Sequence, residues 1–490
     1  MKRMLNKNRF KNALFALTLA FFPLLTGCQD ASVRHYNCAM GYLSQDQYDQ
    51  AISEFTKAID LNPRLVEAYF QRGNTYSIIK GEHDLGILDF DKAIEINANS
   101  AELYYSRGGA YSQKGQHDQA ISDYTRALEI NPRFTEVYND RGVAYFSRGE
   151  YDRAISDHSE VIRMNPEDSC AYFNRGLAYV AKDEYGRAIL DYTKAIELNP
   201  YYAEAYNNRG RAYYNNGQYD RAISDFTKAI EIDPKNVNAY SNRGQTYAAK
   251  GEYDLAISDF AEAIEMEPRN APAYCNRGII YCQTGQYDLA ISDYTMALGI
   301  EPRDAGAYNN RATACIGKRE YDQAITDCNS AIEIDPRYDK PYYNRGLAYY
   351  QKGQYDRAIL DFSKAIKIEP ERAEAYANRA AAYSEVRQYD RAIDDCSRAL
   401  EADSDCTIAY INRALAYLGK REYDQAIIDC NSAIALNPDL AQSYCNRAVA
   451  YRRKAEYDKA WEDVHRAESL GFQVRPEFLE ELREASGRDK

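Results

Sequence analysis

Several kinds of chemistry find no residues in this chain. Its 490 residues include only five histidines, none with a carboxylate or cysteine at ligand spacing. The eleven cysteines form no Cys-x-x-Cys pair, so neither a metal site nor a dithiol redox motif is present. There is no nucleophile elbow, no phosphate-binding glycine loop and no paired catalytic carboxylate. Enzyme activity, a metal and a cofactor are therefore not expected. Positive charge is outweighed, with 61 Lys and Arg against 74 Asp and Glu for a net charge of −13. Residues 1–27 carry five basic and no acidic side chains, which leaves −18 on the remainder. A body this acidic repels nucleic acid and anionic lipid. Neutral or basic proteins and peptides are the expected partners, and the sequence specifies no oligomeric state.

Long apolar runs are nearly absent as well. The exception, Ala13 to Leu25, follows a basic stretch and is 13 residues long, too short to span a bilayer comfortably and suited to a secretory signal. It ends in Leu25-Thr26-Gly27-Cys28, which resembles the lipobox of bacterial lipoproteins. The resemblance implies cleavage before Cys28, acylation there and stable anchoring by several chains. The plainer alternative is an ordinary signal peptide with a chance cysteine. By the sorting rule of enterobacterial lipoproteins, Gln29 implies the outer membrane, with the body in the periplasm.

What the chain has in abundance is a period. Asn208-Arg209-Gly210, or a version ending in Ala, recurs every 34 residues from Asn174 to Asn446. In the unit Ala203–Asn236, Tyr206, Gly210 and Tyr213 share one helical face, as do Ala222, Phe226 and Ala229 on a second helix. Gly217 separates the helices as a left-handed turn residue, and Asp233-Pro234 ends the second. Each unit is a helical hairpin that buries its apolar face by stacking on neighbours.

The pattern Tyr-x2-Arg-Gly-x2-Tyr-x8-Ala-x3-Phe-x2-Ala-x4-Pro resembles the tetratricopeptide repeat family. It differs in having Tyr for the first Trp and Arg for the following Leu. Thirteen copies cover about residues 32–470. The resemblance implies an all-α, right-handed superhelical solenoid over residues 28–470, with 1–27 as signal peptide. Residues 471–490 form a capping helix and tail, with Phe478, Leu479, Leu482 and Ala485 on the covering side. One interval is 35 residues instead of 34, which places an extra residue near Ile79–Glu82 in a repeat that also has Gly86 for Ala.

At about 100° per residue the triplet divides. Gly210 faces the partner helix and allows close backbone approach. Arg209 falls to one side, opposite Asp225, and is read as a structural ion pair; a free basic row is the alternative. Asn208 points away from the partner helix, with Glu204, Arg211 and Asn215. The Arg211 place varies (Leu177, Gln245, Ile279, Thr313, Leu347), whereas Asn persists in ten of thirteen repeats. In tetratricopeptide superhelices this face is the concave surface, and similar asparagines in O-GlcNAc transferase contact bound peptide. The resemblance implies that Asn174, Asn208, Asn242, Asn276, Asn310, Asn344, Asn378, Asn412 and Asn446 line a groove for extended polypeptide. The alternative is a solvated or self-capping residue carried along by duplication. No basic set accompanies the row, so a carboxylate clamp for chaperone tails is not expected.

The cysteines follow the repeat. Cys328, Cys396 and Cys430 replace the core Phe and read as small buried apolar residues. Cys315 replaces a core Tyr in the repeat of Cys328, so a disulfide in an oxidising periplasm is an open alternative. His83 and His117 replace Tyr, and His158 replaces Phe. The function expected is a membrane-anchored adaptor or scaffold in the bacterial envelope. The alternative is a structural spacer or self-associating assembly factor without a dedicated groove.

Overall fold

The computed structural model describes residues 30–487; the expected signal peptide and lipidation at Cys28 fall on residues outside them. Among the described residues there are 27 α-helices and no strand. Numbered in chain order, α1 to α26 fall two to a repeat, with the odd-numbered helix first, and α27 follows the last repeat. The chain divides into two compact units between Thr246 and Tyr247, inside α13 (Val237–Ala249).

The reference repeat shows why these residues make hairpins. Helix α11 (Ala203–Asn215) ends at Asn216, and Gly217 takes φ 71°. The N–H of Gln218 then donates to the Tyr213 carbonyl at 2.8 Å, closing the turn before α12 (Tyr219–Ile232). Six other repeats hold this left-handed position with a side chain: Asp46, Asp183, Arg319, Arg387, Arg421 and Ala455. At the far end the Asp233 N–H closes on the Ala229 carbonyl, and Pro234 prevents continuation. Ala222, Phe226 and Ala229 are buried against α11 and the following repeat. This apolar burial is the main force holding each stack together.

The extra residue sits slightly earlier than the sequence suggests. It is absorbed by a π-helical turn, Thr75–Lys80, that continues α3 (Val66–Asn74). Such a turn accommodates one inserted residue without breaking the helix. It also explains Gly86 on α4 (His83–Ile96): a Cβ there would meet Ser77 Cβ at 2.7 Å and the Gly73 carbonyl oxygen at 2.8 Å. Insertion and glycine are two halves of one adjustment.

At the C-terminal end of the second unit, α27 (Pro476–Ser486) lays Phe478 and Leu482 over the last repeat. Trp461 of α26 (Tyr457–Ser469) donates through Nε1 to Ser486 Oγ at 3.2 Å, and Arg452 pairs with Glu481. Leu479 is half-buried. Ala485, expected on the covering side, is exposed.

Candidate functional site

The triplet's glycine does a different job from the one expected. Gly210 makes room for a ring, since a Cβ there would lie 2.7 Å from Phe226 Cε1 and 2.9 Å from Cδ1. The same contact recurs for Gly73 with Phe90, Gly108 with Tyr124, Gly142 with His158, Gly176 with Tyr192, Gly278 with Tyr294 and Gly346 with Phe362. Where the facing residue shrinks to Cys328, Cys396, Cys430 or Val464, the glycine becomes Ala312, Ala380, Ala414 or Ala448. Volume is conserved across the helix pair, as a close-packed interior requires. Repeat one departs from this: Ala39 on α1 (Ala31–Ser44) and Phe55 are both fully buried.

The arginine joins three helices. Arg209 Nε and Nη2 donate to Asp225 Oδ2 and Oδ1, each at 2.8 Å, while Nη1 donates to Thr193 Oγ1 at 3.0 Å on α10 (Tyr185–Leu198) of the preceding repeat. Its guanidinium also lies over the rings of Tyr206 and Tyr213. In the first unit the same fork joins Arg72–Asp89, Arg107–Asp123, Arg141–Asp157 and Arg175–Asp191. In the second it joins Arg277–Asp293, Arg311–Asp327, Arg345–Asp361, Arg379–Asp395, Arg413–Asp429 and Arg447–Asp463. Burial pushes the carboxyls of Asp89, Asp123 and Asp157 up despite their arginines. Desolvation thus offsets much of the attraction, and the pairs contribute geometry more than net stability. Repeat one has Cys38 in place of the arginine, and there Glu54 reaches His35 Nδ1 at 2.5 Å.

The asparagines are placed differently from the open row that helix geometry suggests. None of the nine is exposed, and Asn344 and Asn446 are buried. Most of the amide N–H groups are used inside the stack. Asn174 donates to Asn139 Oδ1, Asn242 to Asn207 Oδ1, Asn344 to Asn309 Oδ1, Asn378 to the Tyr343 hydroxyl and Asn412 to the Ala377 carbonyl, at 2.9–3.1 Å. Every acceptor is 35 residues back, on the first helix of the preceding repeat. Where that neighbour is Phe173, Asn208 instead donates back to the Glu204 carbonyl on its own helix. Asn310 accepts a long bond from Asn309, Asn446 accepts from Gln442, and Asn276 makes no hydrogen bond. One substitution fits this ladder: at Asp140 the acid accepts from the Tyr105 hydroxyl at 2.9 Å. The sequence carried no signal for this pairing, because the donor stays Asn while the acceptor changes from Asn to a Tyr hydroxyl or a backbone carbonyl.

The same helix face carries apolar side chains beside the amides. Val143, Ile279, Ile408 and Leu415 are 38–48% exposed. Among the described residues no cluster of three or more His, Cys, Asp or Glu could hold a metal. Cys315 and Cys328 share a buried cluster as free thiols, not as a disulfide. Burial pushes both thiols up to about 12, so neither supplies thiolate at neutral pH. His158 is buried beneath Gly142, and burial pushes its imidazole down to about 4.

Family patterns match this architecture along the chain. A pattern described as TPR repeat matches residues 42–77, 142–183, 176–217, 210–251 and 318–353. Patterns described as tetratricopeptide repeat match 66–100, 101–134, 123–156, 237–270, 271–304, 340–372, 373–406 and 407–440. The chain is a tetratricopeptide repeat protein. As a class these repeats are scaffolds for protein–protein interaction. Among solved structures, the chain is similar to one in the APC/C hetero-tetramer Cut9–Hcn1. They are 17% identical, 86% of this chain and 96% of that chain are covered, and the TM-score is 0.46. It is similar to MamA (33% identity, 34% of this chain and 96% of that one, TM-score 0.32). It is also similar to YrrB, described as a TPR protein with an unusual peptide-binding site (27% identity, 38% and 95%, TM-score 0.34). No curated protein sequence matches this tetratricopeptide repeat protein.

Proposed function

We propose that this protein is an adaptor anchored through acylated Cys28 to the bacterial envelope, at the periplasmic face of the outer membrane. Its first-helix faces hold extended polypeptide, neutral or basic. The supporting observation is the state of the asparagine row. In Asn174, Asn242, Asn344, Asn378 and Asn412 the Nδ2 group is tied to the neighbouring helix, while Oδ1 accepts no bond. A fixed amide with a free acceptor suits a peptide N–H, because its orientation entropy is already lost before binding. Ile279, Ile408 and Leu415 lie one turn from Asn276 and Asn412 and offer apolar contact for the side chains of the same segment.

The test compares partners captured by wild type and by a variant with Asn174, Asn242, Asn276 and Asn412 changed to Ala. Circular dichroism checks that the stack persists. An unchanged set of partners would sink the groove. Cys28→Ser should release the protein from membranes and abolish incorporation of labelled fatty acid. One observation favours the spacer reading: the same Nδ2 ties make the row useful to the stack with no ligand at all. Under that reading the quadruple variant loses stability but no partner.

A further inference from the structure

Two polar ties recur between the second helix of one repeat and the first helix of the next. The first is the third arm of the arginine. Nη1 donates to a side-chain oxygen 16 residues back, at Thr56, Asp91, Thr125, Ser159, Thr193 and Thr227 in succession. It resumes at Thr295, Asn329, Ser363, Ser397 and Asn431. The second joins a basic residue after the first helix to the Asp that opens the preceding second helix. Examples are Lys182–Asp152, Lys318–Asp288 and Lys420–Asp390.

Both ties are missing at one junction, between α14 (Tyr253–Met266) and α15 (Ala271–Gln283) in the second unit. The acceptor place holds Ala261, so Arg277 keeps its fork on Asp293 but has nothing for Nη1. The basic place holds Thr284, which turns to the Ile280 carbonyl and leaves Asp254 unpaired. Asn276, on the same helix, is the one member of its row with no hydrogen bond. In exchange, the place filled by Ala212 in the reference repeat holds Ile280, buried against Ala256 and Phe260. Two other junctions lose only the basic tie. Asn216 stands there opposite Gly186, with Thr193 retained, and Val386 stands opposite Asp356, with Ser363 retained.

Apolar contact holds surfaces together without fixing their angle, whereas hydrogen bonds and ion pairs are directional. We propose that the α14–α15 junction is a hinge, held by Ile280 on Phe260 and free to rock because the polar ties that lock other junctions are absent. A solenoid with one soft junction adjusts the first-helix faces on either side of it when a partner binds, at little cost to the packing within each repeat.

The test uses the full chain with spin labels on exposed second-helix positions two repeats apart. One pair, Glu265 and Glu333, spans the junction; the other, Gly299 and Lys367, spans two fully tied ones. The distance distribution should be broader for the first pair. Ala261→Thr with Thr284→Lys restores both ties and should narrow it to match the second. Amide exchange in α15 should slow by about tenfold in the same variant, the effect of one to two added hydrogen bonds. Equal widths for the two pairs in the wild type would overturn the hinge. So would a restored variant whose width and exchange do not change. Ile280→Ala serves as the second arm: it should loosen the junction further, and no effect there counts against the proposed apolar pivot.

Discussion

If Gly210 is present because Phe226 lies on it, the two residues must be energetically coupled. In Gly210→Ala the new Cβ meets ring carbons at 2.7–3.0 Å, where ordinary contact needs at least 3.4 Å. The ring is 1% exposed and cannot withdraw. Overpacking of this kind costs about 1–3 kcal/mol, against about 1 kcal/mol gained from replacing helical Gly by Ala. Phe226→Cys alone leaves a cavity and should cost roughly 3 kcal/mol. In the double variant the Cβ enters space the ring has left, reproducing the Ala312–Cys328 pair found in this same chain. The clash then vanishes and the helix gain is realised. The double variant should be more stable than the sum of the singles by about 1–3 kcal/mol. A repeat array does not unfold as one unit, so the measurement is native-state amide exchange in α11 and α12. Additivity within about 0.5 kcal/mol would show that glycine is there for some other reason, and the packing rule would fall.

Three further outcomes are expected. His158, whose imidazole burial holds down near 4, is neutral when folded and charged when unfolded at acid pH. Its contribution is present above the ordinary value of 6.5 and is lost as pH falls toward 4, amounting to about 2 kcal/mol by pH 5. His158→Phe should flatten that dependence in the exchange of α8 (Tyr151–Met164), and an unchanged slope would refute it. Arg319→Gly and Arg421→Gly relieve left-handed residues at φ 66° and should each stabilise their hairpins by about 1 kcal/mol in thermal or exchange measurements. Arg209→Met strands the buried carboxylate of Asp225 and should destabilise by about 2–4 kcal/mol, with Asp225→Leu in the same chain recovering much of it. If the single change leaves melting untouched, the pair is not structural.

The residues that carry these tests differ in how far the sequence alone exposes them. Helical pairing within a repeat is local. Tyr206, Gly210 and Tyr213 on one helix and Ala222, Phe226 and Ala229 on the next reveal both faces by spacing, and Gly217 marks the turn between them. The pairing of glycine with an aromatic ring was also legible, because Gly becomes Ala where Phe becomes Cys; reading Gly210 as a backbone contact overlooked that exchange. The opposition of Arg209 and Asp225 follows from angles within one hairpin. Its third contact, on Thr193, does not, since it depends on where the preceding hairpin sits.

The asparagine row shows the same limit more sharply. Helical phase determines that Asn208 and its equivalents point away from their own partner helix. Phase cannot say whether that direction meets solvent or the neighbouring first helix, because the rotation between stacked repeats is not written in any one of them. By itself, then, the sequence determined the period, the hairpins, the turn glycines and the side of each helix on which every recurring residue lies. Only the tertiary structure decided which of those residues are used up between repeats. It spent the amide N–H groups of Asn174, Asn242, Asn344, Asn378 and Asn412 inside the stack, left those oxygens unpaired, and showed one junction where apolar contact replaces the polar ties. The physical reason is that directional bonds between repeats depend on a relative orientation set by the packing of whole hairpins, not by any local spacing of residues.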